Sequence, residues 1–280
     1  MSSQRIIIEP QNQNKRYFKD IWQFKGLFYF LAWRDVRVRY KQTTIGVAWA
    51  VLRPLLTILA LSLVRFLFSS GQKNNIPYPL LIAAGTLPWQ FFSSAFSDAS
   101  NSLVTNSNLV SKVYFPRLIV PASAIIVCLI DFVISFVIVL GIMAYYHFFP
   151  GIQIVFLPVF LLLAVITALG TGLYFAALNV KYRDFRYVIP FIVQFGMYIS
   201  PVMFSSNEFY ANASVPAWAK NIYALNPMVC VIDGFRWCMF GEQVPVDTMK
   251  FLVSFGVSII MLVVGIITFR KMEKDFADVI

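Results

Sequence analysis

The sequence predicts an all-α membrane protein. It has six transmembrane helices, an N-terminal amphipathic interfacial helix and a re-entrant helical segment between spans five and six. Three observations carry this expectation. Of 280 residues, 59% are hydrophobic and 13% charged, where a soluble domain carries about 25% charged residues. Apolar runs near the length of about 20 residues that a helix needs to cross a bilayer recur six times along the chain. Lys and Arg collect in alternate connections, as cytoplasmic loops require.

Residues 15–33 place Phe18, Ile21, Trp22, Phe24, Leu27, Phe28 and Leu31 among Lys15, Arg16, Lys19, Asp20 and Gln23. Apolar positions recur at steps of three and four, and Trp22 and Trp33 favour the headgroup zone, so the spacing predicts a helix along the cytoplasmic leaflet. A helix packed against protein would show the same periodicity. Then come RDVRVRYKQTTIG and the runs 45–69, 79–103, 118–146, 153–178, 187–204 and 250–269. Span one carries Arg53 near its start and Arg65 near its end; span two is the least apolar, with Gly85, Pro88, Gln90 and several serines. Span three is interrupted by Asp131 alone, and span five is short and holds Pro190, Gly196 and Pro201. Residues 205–249 are apolar yet broken by Pro216, Pro227 and Gly234. Such a piece either dips into the membrane from outside or lies flat on it, and broken backbone at depth needs protein or a wet cavity to satisfy it.

Of 23 Lys and Arg residues, 18 fall before span one, at Arg53, in the connections 2–3 and 4–5, or after span six. Lys73, Lys220, Arg236 and Lys250 fall on the other side. Both termini are therefore expected in the cytoplasm. This asymmetry accounts for the formal charge of +10, so no nucleic-acid partner is expected. The first 20 residues are charged and lack an apolar core, so no cleavable signal is expected there. Cys128, Cys230 and Cys238 show no CxxC spacing, and the chain has one His, His147; neither a metal site nor a disulfide framework is predicted. On one helix Cys230 and Cys238 lie about 12 Å apart, too far to bridge.

No G-x-x-x-x-G-K-[ST], GxSxG, HExxH or kinase signature occurs. The acids are few and scattered, which disfavours a membrane enzyme acting on lipid-linked sugars. Asp131 is the one acid deep in a span and Asp98 lies near the cytoplasmic end of span two, thin material for an ion-coupled carrier. The connection SNLVSKVYFPRLIVP, residues 107–121, is unusually apolar for a short cytoplasmic loop. Unless something covers Val110, Val113, Tyr114 and Phe115, they form a docking surface; contact with the membrane surface or the interfacial helix is the alternative.

Four blocks in order, WRDVRVRYKQTTIGVAWAVLRP, SNLVSKVYFPRLIVP, NVKYRDFRYVIPFIVQFGMYISPVMF and NPM, followed by a closing FRKMEKDFADVI, resemble the ABC-2 type permeases, and within them the O-antigen and related polysaccharide exporters. The resemblance covers about residue 15 to 280. It implies a type V exporter-like subunit that dimerises with itself and binds two copies of a cytoplasmic ABC ATPase. ATP and Mg sit on that ATPase and no cofactor sits on this chain. The cargo implied is a polyprenyl-diphosphate-linked polysaccharide such as O-antigen, crossing a bacterial inner membrane. Capsular polysaccharide, teichoic acid or a small lipid or drug is the alternative. The resemblance maps the coupling helix onto Asn108, Leu109, Val110, Ser111, Lys112, Val113, Tyr114 and Phe115. It divides the chain into a cytoplasmic N-terminal region (1–44), a six-span domain (45–269) and a cytoplasmic tail (270–280).

With that cargo in view, Arg34, Arg37, Arg39, Lys41 and Arg53 admit two readings. They hold the N-terminus inside and touch anionic lipid headgroups at about 1 kcal/mol each, or they also collect the diphosphate, which Arg binds bidentately. On a helix Arg34, Arg37 and Lys41 share one face. Trp49 and the i, i+4, i+7 set Phe191, Phe195 and Tyr198 are candidates to line the glycan conduit, with simple packing as the alternative. Asp184 stands beside Arg183 and Arg186, as a local ion pair or a gating contact. Arg65 snorkels, and Asp131 needs a partner on a neighbouring helix or on a second subunit.

Overall fold

The computed structural model describes residues 20–41, 46–68, 76–244 and 247–276; of residues 46–50, 65 and 68 it describes the backbone alone. The described residues are helices and short connections, without a strand among them. In order the helices are α1 (Lys25–Lys41), α2 (Gly46–Phe68), α3 (Tyr78–Thr105), α4 (Ser107–Lys112), α5 (Ile119–Tyr145), α6 (Leu157–Lys181), α7 (Phe185–Ile199), α8 (Ser206–Ala211), α9 (Ala217–Ala224), α10 (Pro227–Phe240) and α11 (Thr248–Met272). A 3₁₀ turn, Ile152–Phe156, leads into α6, and another, Glu273–Asp275, follows α11.

Ile119–Tyr145, Ile152–Lys181 and Thr248–Asp275 are each long and apolar enough to cross a membrane. The other three expected spans are α2, α3 and α7. Helix α2 has 23 residues, about 35 Å, and its described side chains are apolar over Val51–Val64. With 15 residues, α7 measures about 22 Å, short of a hydrocarbon core of about 30 Å. The 28 residues of α3 are long enough, but Gln90 and its serines dilute the run. That dilution follows from position. Helix α3 packs against α2, α5, α6, α7 and α10, and most of its residues are buried by protein. A helix so enclosed gains from close packing, not from lipid contact, and its hydroxyls bond back to its own carbonyls, as Thr86 Oγ1 does to Ile82 O at 2.6 Å and Ser102 Oγ to Ala99 O at 2.8 Å.

Small residues bring α6 and α11 together. A Cβ added to Gly265 would meet the Gly170 carbonyl oxygen at 2.1 Å, and Thr167 donates to Ser258 Oγ at 3.0 Å across the same seam. With lipid as apolar as any side chain, close approach and interhelical hydrogen bonds supply the association.

One buried side chain anchors the start of the broken segment after α7. Arg236 of α10 is fully buried (0% exposed). Its guanidinium donates to Phe204 O at 2.8 Å, Val202 O at 3.0 Å and, more distantly, Leu81 O at 3.4 Å. Residues 200–205 leave the helix, and the guanidinium collects two of their carbonyls, those of Val202 and Phe204, while the Ser200 and Ser205 carbonyls accept from Val202 N and Phe209 N. Gly85 makes room: a Cβ there would lie 2.7 Å from Arg236 Nη2 and 2.9 Å from Val202 O. Asn226 caps α10 by accepting from Met228 N at 3.0 Å and ties it to Ser200 Oγ through Nδ2 at 3.0 Å. Asp247 caps α11 through Met249 N and Lys250 N, and the hydrogen-bonded Lys250 ammonium holds its carboxyl below the usual carboxylate range. Cys128, Cys230 and Cys238 are buried thiols.

Candidate functional site

One end of the bundle gathers α1, the ends of α3 and α6, the connection 106–118 and the turn after α11 around a shared apolar cluster. We call this the basic side. Helix α1 presents two faces there. Inward, Leu31 and Ala32 are buried. Outward, Tyr29, Phe30, Trp33 and Val38 are exposed, as is Trp22 just before the helix. The apolar positions the spacing marks, Ile21, Phe24, Leu27, Phe28 and Leu31, pack against the protein's own cluster, which is the second of the two readings that the periodicity left open.

The basic residues of RDVRVRYK divide between those faces. Arg39 is not a free cation. It donates to Asp131 Oδ2 at 2.6 Å and Asp98 Oδ2 at 2.8 Å, joining α1 to α5 and α3 at once. Tyr40 donates to the second oxygen of Asp131. Burial alone pulls the Arg39 pKa down, but the two carboxylates outweigh it and raise it above its ordinary value, so the residue stays charged. Burial and the Asp131 hydrogen bond push the Tyr40 phenol up. Arg34 also turns inward. Its Nη2 donates to Asn106 Oδ1 at 2.7 Å, at the joint between α3 and α4, and its Nε donates to Asp35 at 2.8 Å. The shared face expected for Arg34, Arg37 and Lys41 is therefore split, because Asn106 draws the first of them into the protein. Arg37 and Lys41 remain exposed, Arg37 lying 5.2 Å from the Trp33 ring centroid. Arg53, on α2, is exposed as well. Asp131 finds its partners on a neighbouring helix, the first of the two options its position left open.

The segment 107–115 is likewise divided. Val110 (3% exposed) and Phe115 (4%) are covered, joining the basic-side cluster. Asn108, Ser111, Lys112, Val113 and Tyr114 face outward and Leu109 is half-buried. The outward apolar surface is thus narrower than the composition implies: Val113 and Tyr114, with Lys112 beside them. The next residue but one after Phe115, Arg117, is pinned from the far end of the chain. Its backbone N–H donates to Glu273 Oε1 at 2.9 Å and its Nη1 to the Glu273 carbonyl.

Phe191, Phe195 and Tyr198 fall together on the exposed face of α7, the first two rings 4.2 Å apart at 36°. Of the 15 residues of α7, Ile189 alone is buried. At its inner face Gly196 lies against Trp89, whose ring a Cβ would meet at 2.7 Å. The side chains of Trp49 and Arg65 lie outside the described residues, as do residues 15–19 of the expected interfacial helix and Ala277–Ile280 of the tail. Asp184, Arg183 and Arg186 are exposed at the start of α7.

Sequence reading passed over Tyr40, Asn106, Glu273 and Phe276. A lone acid inside an apolar run, Asp131, signals that a donor is needed, but not that Arg39 and Tyr40, 92 and 91 residues away, supply it. For Glu273 and Phe276 the sequence holds no signal, since the contact closes over 156 residues. Among the described residues no three His, Cys, Asp or Glu side chains converge as metal ligands.

The ABC-2 type transporter family profile matches residues 26–240. The chain is similar to the O-antigen export system permease protein RfbA of Myxococcus xanthus, 26% identical over 264 residues, which cover 94% of this chain and 98% of that one. It is similar to the protein of the same name from Klebsiella pneumoniae, 26% identical over 249 residues, 88% and 92% of the two chains. It is also similar to the polysialic acid transport protein KpsM of Escherichia coli, 21% identical over 243 residues, 86% and 91%. The profile match spans most of the helical bundle just described, from α1 to the Arg236 helix, and on that ground the chain belongs to the ABC-2 type transporter family.

Proposed function

We propose that this chain is the membrane-spanning permease subunit of an ATP-driven exporter. It moves a polyprenyl-diphosphate-linked polysaccharide, such as O-antigen, from the cytoplasmic to the outer leaflet of the bacterial inner membrane. The observation that carries this reading is similarity over nearly the whole length, 94% of this chain and 98% of the relative, to a protein named for O-antigen export. In this reading the basic side and both termini are cytoplasmic. Residues 1–44 form the cytoplasmic N-terminal region, 45–269 the transmembrane domain and 270–280 the tail. Two copies of the chain pair, and two copies of a separate ABC ATPase, which bind ATP and Mg, seat against the 108–115 segment.

The division of basic residues assigns roles. Arg34 and Arg39, engaged with Asn106 and with Asp98 and Asp131, hold α1 in register with α3 and α5. Arg37, Lys41 and Arg53, exposed, are left to meet phosphate, whether of bilayer lipid or of the lipid-linked diphosphate. Trp49 and the α7 face Phe191, Phe195 and Tyr198 line the sugar path, flat surfaces with few strong hydrogen bonds. A capsular polysaccharide is the second cargo reading, favoured by the similarity to KpsM.

The experiment is expression in a strain lacking its own exporter, with and without the ABC ATPase that co-purifies with this chain, and export of each glycan is scored at the cell surface. Restored O-antigen supports the reading, and restored capsule alone shifts it to the second cargo. Export by this chain without any ATPase ends it. Replacing Arg37 and Lys41 together by Gln is expected to lower export while membrane insertion stays normal. Undiminished export by an inserted double variant removes the diphosphate role.

A further inference from the structure

The contacts of the C-terminal turn assign it a task that the helices alone do not explain. Helix α4 has six residues and no side-chain cap, too short to hold its shape by itself. The chain then runs irregularly through Val113–Arg117 before α5 begins. From one side the segment is held by α3 and by the Arg34 bond to Asn106. From the other it is held by residues Glu273–Phe276. The Glu273 carboxylate accepts the Arg117 N–H at 2.9 Å, which would otherwise have no helical partner at the entry to α5. Phe276 is buried (1% exposed), edge-on to Phe269 with ring centroids 5.4 Å apart and 5.8 Å from the Arg117 guanidinium. One apolar knot joins Phe276 and Phe269 to Leu31 of α1, Val110 and Phe115 of the segment and Val180 of α6.

We propose that the turn Glu273–Phe276 is the positioning element of the 107–115 segment. It holds Lys112, Val113 and Tyr114 at a fixed height for the ATP-hydrolysing partner and ties their motion to α11. The proposal rests on the functional reading above for the identity of that partner, not for the positioning itself. A push on the segment is then delivered to α11 through Glu273 as well as to α3 and α5 through the chain. Without the turn, the segment keeps its sequence and loses its register.

Two measurements on the full chain test this. A nitroxide on Tyr114→Cys reports local order in detergent, and the native thiols are buried, so labelling is selective. Capture of the ATP-hydrolysing subunit that co-purifies with the unaltered chain reports docking. Phe276→Ala and Glu273→Ala should both sharpen the nitroxide spectrum and weaken capture about tenfold, close to 1.4 kcal/mol. Phe276→Leu and Glu273→Gln, which keep the apolar bulk and an acceptor oxygen, should restore both. Should Phe276→Ala fail to fold, Glu273→Ala decides, since it leaves the apolar knot filled. An unchanged spectrum in the alanine variants overturns the positioning role. An ordered spectrum with no ATPase captured by the unaltered chain overturns the functional reading instead.

Discussion

Replacing Arg236 by Met tests the claim that one buried guanidinium holds the broken backbone after α7. Met keeps similar length and apolar bulk while removing every donor. Two carbonyls, Phe204 O at 2.8 Å and Val202 O at 3.0 Å, lose their partner; the 3.4 Å contacts to Leu81 O are long and are counted as nothing. A hydrogen bond to a charged group contributes about 1.5–3 kcal/mol, so two give about 3–6 kcal/mol. Against that stands relief from burying a charge, but apolar replacement of buried ions is neutral or better only when both partners go, and Asp233, 3.8 Å from the guanidinium, stays behind. The carbonyls cannot go, so a net loss of about 2–4 kcal/mol remains. In a thermal melt of detergent-purified protein this reads as a fall of about 5–15 °C. Protease cleavage between α7 and α10 should rise with it, because that is the segment released. Arg236→Lys, with a single ammonium able to reach one or two of the carbonyls, should fall between. A Met variant that melts within about 1 °C of the unaltered chain refutes the clamp.

Other perturbations separate the remaining roles. Tyr114→Ala, at an exposed position, should change stability by no more than about 0.5 kcal/mol and abolish ATPase capture, while Val110→Ala, at a buried one, should cost about 1–3 kcal/mol; melts and capture assays on the same preparations distinguish them. Arg39→Gln and Asp131→Asn should each destabilise more than half of what the double variant does, with a coupling of about 0.5–3 kcal/mol in a thermal double-mutant cycle; strict additivity would show that the ion pair joining α1 to α5 is idle. Gly265→Val places carbon atoms against the Gly170 carbonyl, where even a Cβ would sit at 2.1 Å. It should cost at least about 1–3 kcal/mol and lower the yield of monodisperse protein on size exclusion.

The all-helical membrane character was legible in the residues, because apolar runs of bilayer length and a one-sided distribution of Lys and Arg are local, countable properties. Helix ends followed closely. The run 118–146 became Ile119–Tyr145 and 250–269 became Thr248–Met272. The set Ile21, Phe24, Leu27, Phe28 and Leu31, which packs together against the basic-side cluster, was legible for the same reason, since periodicity decides which residues share a face. What periodicity cannot decide is what each face meets. Arg37 and Arg39 are two residues apart and chemically identical. One is exposed and the other clamps Asp98 and Asp131, which lie 59 and 92 residues away. Val110 and Val113 differ likewise, one inside the basic-side knot and one outside it. The low hydropathy of span two is explained by enclosure within the bundle, and the tail's grip on Arg117 closes across 156 residues. Those are facts of tertiary packing. A side chain's partner is set by which helices lie alongside it, and no local rule of spacing carries that information.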